Sequence, residues 1–145
     1  MNPETMDCTQ RRDWLARKDG WGFPGDQGIL IDGTMVTLTK YWRRVQIGML
    51  QGQVHMKKQA DHPYPPTLDG AAAAERALWL RVERVYCDVV DQWEWRVWQP
   101  NPYANEKPWV RLMHAGVPIT APDTGDEISD RFGLAVMCRM EEVKR

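Results

Sequence analysis

Eight of the 145 residues are tryptophan: Trp14, Trp21, Trp42, Trp79, Trp93, Trp95, Trp98 and Trp109. Phenylalanine occurs twice. An indole is large, and its N–H needs a partner, so Trp is rarely enclosed completely. A domain of this length buries about two thirds of its unfolded surface. Its core has no room for eight indoles. Most are expected to fill the core and some to stand partly exposed, where Trp is enriched at binding hot spots.

The length fits one domain, residues 1–145. Charge nearly cancels, with 19 Lys and Arg against 20 Asp and Glu, and hydrophobic residues make up 43%. These values exclude a disordered tail, a collagen-like chain and a disulfide mini-protein. No apolar run approaches the roughly 18 to 20 residues that span a bilayer, so no membrane partner is expected. The opening MNPETMDCTQRRDWL lacks an apolar stretch behind a basic one, so no signal peptide is expected. Cys8, Cys87 and Cys138 cannot all pair with one another. Free thiols in a reducing cytoplasm are the expectation.

Local signals alternate between helix and strand. Asn2-Pro3-Glu4 reads as a cap, a proline at the first helical position and an acid in the first turn. It predicts a helix from about 3 to 18, with a thin apolar face of Met6, Cys8, Trp14 and Leu15. WGFPGDQG (21–28) is a glycine-rich loop. Residues 28–39 read as a hairpin about a type I′ turn at Asp32-Gly33. Residues 40–58 fit two periods. Leu38, Trp42, Val45, Met49 and Met56 make a helical stripe, while Val45, Ile47 and Met49 alternate as in a strand, and Gly48 and Gly52 weaken a helix. The helical period is the one taken. DHPYPPT (61–67) is an extended connector.

Residues 68–86 predict a helix capped by Asp69, with Ala71, Ala74, Leu78, Val82, Val85 and Val89 in one buried stripe. Residues 91–99 predict a strand. It places Trp93, Trp95 and Val97 on one face and Glu94, Arg96 and Trp98 on the other. After a turn-rich loop at 100–108, residues 108–115 predict its antiparallel partner. Thr124 and Glu127 fit a capping box ahead of a helix from about 126 to 143. Its stripe is Ile128, Phe132, Val136, Met140 and Val143. The predicted fold is α+β, a small antiparallel sheet packed with helices in an α-β-α sandwich-like arrangement.

Three pieces of the second half resemble the phage ABA-sandwich family of small bacteriophage proteins. They are HPYPPTLDGAAAAERAL (62–78), WEWRVW (93–98) and DRFGLAVMCRMEEVK (130–144). The helix ending in Lys18-Asp19-Gly20-Trp21 is similar in style, while residues 28–60 have no counterpart. The resemblance implies a three-layer domain encoded by a phage or prophage and made in the bacterial cytoplasm. It implies no reaction.

Catalytic spacing is absent from the sequence. His55, His62 and His114 form no H-x-x-x-H pair, and the cysteines form no C-x-x-C. No nucleophile elbow, P-loop or dinucleotide fingerprint occurs. No metal, cofactor or catalytic residue is expected. Asp126, Glu127 and Asp130 cluster near Asp123, but they fall in the first turn of a helix, where carboxylates complement the dipole.

The charge map is more informative. Residues 33–60 hold no acid and five bases, Lys40, Arg43, Arg44, Lys57 and Lys58, whereas 112–130 hold four acids and no Lys or Arg. KYWRR (40–44) sets aromatics beside bases. Trp98 is expected as a partly exposed anchor, with Lys40, Trp42, Arg43 and Arg44 as further contacts. The first reading is a non-enzymatic, phage-encoded protein that docks on a host protein or ribonucleoprotein complex, such as a CRISPR–Cas defence system. The second is a nucleic-acid or nucleotide-binding accessory protein using the basic 40–58 segment and an exposed Trp.

Overall fold

The structure, a computed structural model, describes residues 2–30, 32–46, 54–101 and 108–144. Asn2 does cap the N-terminus, accepting the Glu4 N–H at 3.0 Å, but it opens a short 3-10 turn, Pro3–Thr5. The helix proper, α1, is Cys8–Lys18. Asp7 starts it through a reciprocal box with Gln10 (2.7 and 2.8 Å), which satisfies donors on both sides of the first turn.

Strands β1 (Gln27–Ile29) and β2 (Met35–Thr37) form the expected hairpin. Its closing bond runs from the Leu30 N–H to the Thr34 carbonyl, so the hairpin does not close as the two-residue turn expected at Asp32-Gly33. Gly33 takes the left-handed conformation there, at φ +87°.

The described residues of 40–58 do not form a helix. They hold a second hairpin, β3 (Tyr41–Gln46) and β4 (Val54–Gln59), paired antiparallel from Tyr41↔Gln59 to Gln46↔Val54. Residues 47–53, including Gly48, Met49 and Gly52, lie outside the described residues. Aromatic and β-branched residues favour the pleated ladder, and each Gly inside a helix would cost about 1 kcal/mol. A long-range bond adds to this: Gly22 and Trp42 exchange backbone hydrogen bonds of 2.7 and 3.0 Å.

The predicted 68–86 helix is cut in two. Helix α2 is Leu68–Ala77, capped by Thr67 rather than Asp69. It ends in a Schellman motif: Trp79 N–H to Arg76 carbonyl (3.1 Å) and Leu80 N–H to Glu75 carbonyl (2.8 Å). Trp79 occupies the left-handed position, φ +57°, where glycine is usual. Val82 and Val85 therefore belong to strand β5, Arg81–Cys87, and Val89 to the turn beyond it. Seven register pairs join β5 to β6 (Gln92–Pro100), from Arg81↔Trp98 to Cys87↔Gln92.

The other edge of β6 takes two short strands end to end. Strand β7 (Trp109–Arg111) pairs with residues 98–100, so the strand predicted over 108–115 keeps its antiparallel partner for three residues only and residues 113–114 pair elsewhere. After the small hairpin β8 (Met113–His114) and β9 (Val117–Pro118), strand β10 (Thr120–Pro122) pairs with residues 94–96. Residues 102–107 of the expected loop lie outside the described residues.

Helix α3, Glu127–Lys144, lies between the other helices and this sheet. Its cap is not Thr124. Asp126 accepts the Ser129 N–H at 3.1 Å, the geometry of an N-cap. Phe132, Ala135 and Val136 pack with Leu15, Ala16, Ala71 and Ala74 from α1 and α2. Leu134 and Cys138 pack with Trp95, Val97, Leu112 and Ile119 from the sheet side. Of the predicted stripe, Ile128 and Met140 are half-buried, and the Val143 side chain is outside the described residues. Glu75 of α2 and Arg131 of α3 form a two-bonded ion pair, 2.8 and 2.6 Å, with both side chains largely buried.

The product is a small mixed α+β domain, the fold class expected from the sequence. Gly70 shows how tightly it is assembled. A Cβ there would be driven into the Pro65 carbonyl oxygen and would sit 2.8 Å from its carbon. Among the described residues no helix is long and apolar enough to cross a membrane.

Candidate functional site

The eight indoles divide as their number requires. Trp21 and Trp95 are buried, Trp14, Trp42, Trp98 and Trp109 half-buried, and Trp79 and Trp93 exposed (75% and 45%). Trp93 lies on the same side of β6 as Trp95 but near its end, where it meets Tyr86 edge-on at 5.5 Å and the Arg84 guanidinium at 4.3 Å.

The two hairpins that follow α1 enclose a cleft of about 730 Å³. Pleat alternation on β3 sends Trp42 and Arg44 to one face and Tyr41 and Arg43 to the other. Register with β4 puts Lys58 opposite Trp42 and Met56 opposite Arg44. These four side chains form one wall, and Ile29, Leu30 and Leu38 contribute from the first hairpin. Gly22 lines the floor because Leu38 leaves no space there: a Cβ would lie 2.8 Å from the Leu38 Cδ1. The cleft is thus apolar inside, with Arg44 and Lys58 as cations and Asp32 as an acid. The Lys58 ammonium lies 4.2 Å over the Trp42 ring. Ile29 (70% exposed), Leu30, Met35 and Met56 are large apolar side chains left in water beside it.

Five contact residues were expected from the sequence, and the fold separates them. Trp42 and Arg44 share the cleft. Lys40 is exposed on the connection between the hairpins. Arg43 turns away to the opposite face, where its Nη2 meets Asp19 Oδ1 at 3.2 Å. The run 33–60 holds no acid, so the fold brings one to Arg43 from outside it. Its partner is 24 residues away in sequence. Trp98 lies on the other sheet, half-buried, with the Arg111 guanidinium 5.4 Å above its ring. Ile29, Leu30 and Met56 escaped the sequence reading. For Ile29 and Leu30 the one signal is the apolar run GILI, longer than the strand Gln27–Ile29; Met56 stood in the helical stripe that the hairpin replaced.

Electrostatics around the cleft are structural. Asp26 takes a two-bonded contact from Arg17 and the Phe23 N–H at 2.8 Å, and Arg17 and then that N–H hold its carboxyl below the usual range. Tyr64 donates its hydroxyl to Asp19 at 2.9 Å, and burial followed by the Asp19 charge pushes its phenol up. His62 contacts Asp13 at 2.8 Å.

The acid cluster before α3 resolves into three separate roles. Asp123 pairs with Arg84 at 2.6 Å, Asp126 caps the helix, and Asp130 is buried and hydrogen-bonded to Trp95 and Thr124. Among the described residues no three His, Cys, Asp or Glu side chains gather as metal ligands. Cys8 and Cys87 are half-buried and Cys138 is buried, and none of the three is in a disulfide. Comparison with protein-family models, curated proteins and solved structures finds no match for the chain.

Proposed function

We propose that this chain is a non-enzymatic binding protein that docks on a host protein or ribonucleoprotein complex through the two-hairpin cleft. One observation carries the reading: Ile29, Leu30, Met35 and Met56 are exposed beside Trp42, with Arg44 and Lys58 next to them. Contiguous apolar side chains left in water mark interaction surfaces, and adjacent cations supply orientation and on-rate. The resemblance of residues 62–144 to phage ABA-sandwich proteins supports a phage origin and action in the bacterial cytoplasm. An inhibitor of a defence system such as CRISPR–Cas fits such a protein, since blocking needs anchors and complementarity rather than catalytic groups.

A nucleotide or nucleic acid in the same cleft is the second reading, favoured by cations around an indole. Against it, Lys58 already covers the Trp42 face on which a base would stack. The two readings separate experimentally. Purified CRISPR effector complexes and a bacterial lysate are offered to immobilised wild type and to the Ile29→Asp/Met56→Asp variant. Docking requires that the wild type retain a defined complex and that the variant lose at least about thirtyfold in affinity with its melting temperature preserved. Capture equal for both proteins, or capture lost only with rising salt, removes the docking reading.

A further inference from the structure

The β8–β9 hairpin and the C-terminal half of α3 enclose a second cavity, of about 500 Å³. The hairpin turns in two residues: His114 pairs with Val117, and Ala115 and Gly116 between them both have positive φ (+50° and +81°). Its foot is anchored where the Ile119 N–H meets the Leu112 carbonyl at 2.9 Å and both side chains are buried. The tip, residues 113–118, is exposed. His114 joins it to α3 through Nδ1, which is bonded to the Glu141 carboxylate.

The cavity has an apolar body and a polar edge. Met137 and Met140, one turn apart on α3, face Val117, Pro118 and Ile119 across it. Val117 is 65% exposed, so the apolar wall is in contact with water. His114 and Glu141 stand on the same wall. A carboxylate accepts, so His114 Nδ1 donates to it, and the neutral ring then carries its lone pair on Nε2. Among the described residues Nε2 has no protein partner, and the His114 side chain is 55% exposed, open to a ligand.

We propose that this cavity binds a small neutral aromatic compound bearing one hydroxyl, which donates to His114 Nε2. The volume lies within the range of small-molecule sites, and so does the make-up of apolar walls with few polar groups. Two thioethers favour an aromatic ring over an alkyl chain. Glu141 disfavours an anion, and among the described residues no Lys or Arg lines the cavity to offset it. A hydrogen-bond donor is therefore the polar group that fits. The cavity shares no residue with the hairpin cleft, so this site stands or falls independently of the docking reading.

The test uses the full chain at pH 8, where an imidazole is ordinarily neutral, and three probes: phenol, toluene and benzoate. Toluene keeps the ring and lacks the donor, and benzoate replaces it with a charge. Binding is followed through the methyl resonances of Met137 and Met140, assigned with Met137→Leu and Met140→Leu. Phenol is expected to shift both, with a dissociation constant of about 1 mM, ordinary for so small a compound. Toluene is expected to bind about tenfold more weakly and benzoate to leave the methyls unmoved. His114→Ala is expected to melt as wild type does and to bring phenol down to the toluene affinity. No shift with phenol at about 20 mM overturns the site. Equal affinity for phenol and toluene in wild type overturns it without recourse to a variant. So does benzoate binding as tight as phenol, or phenol affinity unchanged in His114→Ala.

Discussion

The indole N–H of Trp95 donates to Asp130 Oδ2 at 3.1 Å, and the two residues are only 5% and 6% exposed. This bond ties the central strand β6 to the first turn of α3. The same carboxylate also accepts the Thr124 N–H (2.9 Å) and hydroxyl (2.6 Å), so it fixes the chain that enters the helix. Asp130→Ala is expected to cost about 2 to 4 kcal/mol, because three donors lose their acceptor at once. Trp95→Phe removes one donor and is expected to cost less. Urea unfolding of both variants and the double mutant closes the cycle, with a coupling above about 0.5 kcal/mol expected. Additive costs would show that the bond contributes nothing to stability.

Gly70 separates helix propensity from packing. On propensity alone, Gly70→Ala within α2 stabilises by about 1 kcal/mol. The Pro65 carbonyl occupies the space a Cβ needs, and that oxygen already accepts the Thr67 N–H at 2.8 Å. The variant is therefore expected to lose about 2 kcal/mol or more in net stability. A rise in melting temperature would contradict this placement of the connector.

Arg43 and Arg44 are adjacent in sequence and differ in role. Arg43→Glu sets a carboxylate against Asp19 in place of a partly exposed ion pair. A loss of about 1 kcal/mol, a few degrees in melting temperature, is expected. Arg44→Glu changes an exposed wall of the cleft and is expected to leave melting unchanged while weakening the docked complex. Thermal denaturation beside affinity for the captured partner measures both. Equal melting losses would contradict the division.

His62 makes stability depend on pH in a defined direction. Its Nδ1 accepts the Tyr64 N–H at 2.9 Å, so the neutral ring carries its proton on Nε2, facing Asp13. Burial lowers its pKa, Asp13 partly offsets this, and Arg12 lowers it further. The unfolded chain therefore takes up the proton first. The stabilisation is complete above the unfolded value of about 6.5 and is lost as pH falls from there toward the folded value. The melting-temperature gap between wild type and His62→Asn is expected to shrink between about pH 7.5 and pH 5.5. A gap that widens on acidification would reverse the assignment.

Several features needed nothing beyond local sequence. The alternation in DQWEWRVWQ yields a strand with Trp95 and Val97 inward, and the spacing from Ile128 to Met140 yields α3, because a residue's own neighbours determine both patterns. The acid-free run 33–60 already located the cations of the cleft, Arg44 and Lys58. Tertiary structure decided the rest, each time through a partner remote in sequence. RVERVYC has helical spacing when read alone and becomes β5 because β6 offers it seven register partners. The β3–β4 hairpin displaces a helical stripe with the help of the Gly22 to Trp42 bonds. Asp19 removes Arg43 from the site, and Asp130 binds the buried Trp95 indole as well as the chain that enters α3. Ile29 and Met56 became surface residues because no element of the described fold covers them fully, a property of the assembled chain that no window of sequence contains. Local pattern sets which conformations are cheap, and long-range hydrogen bonds and packing select among those of similar cost.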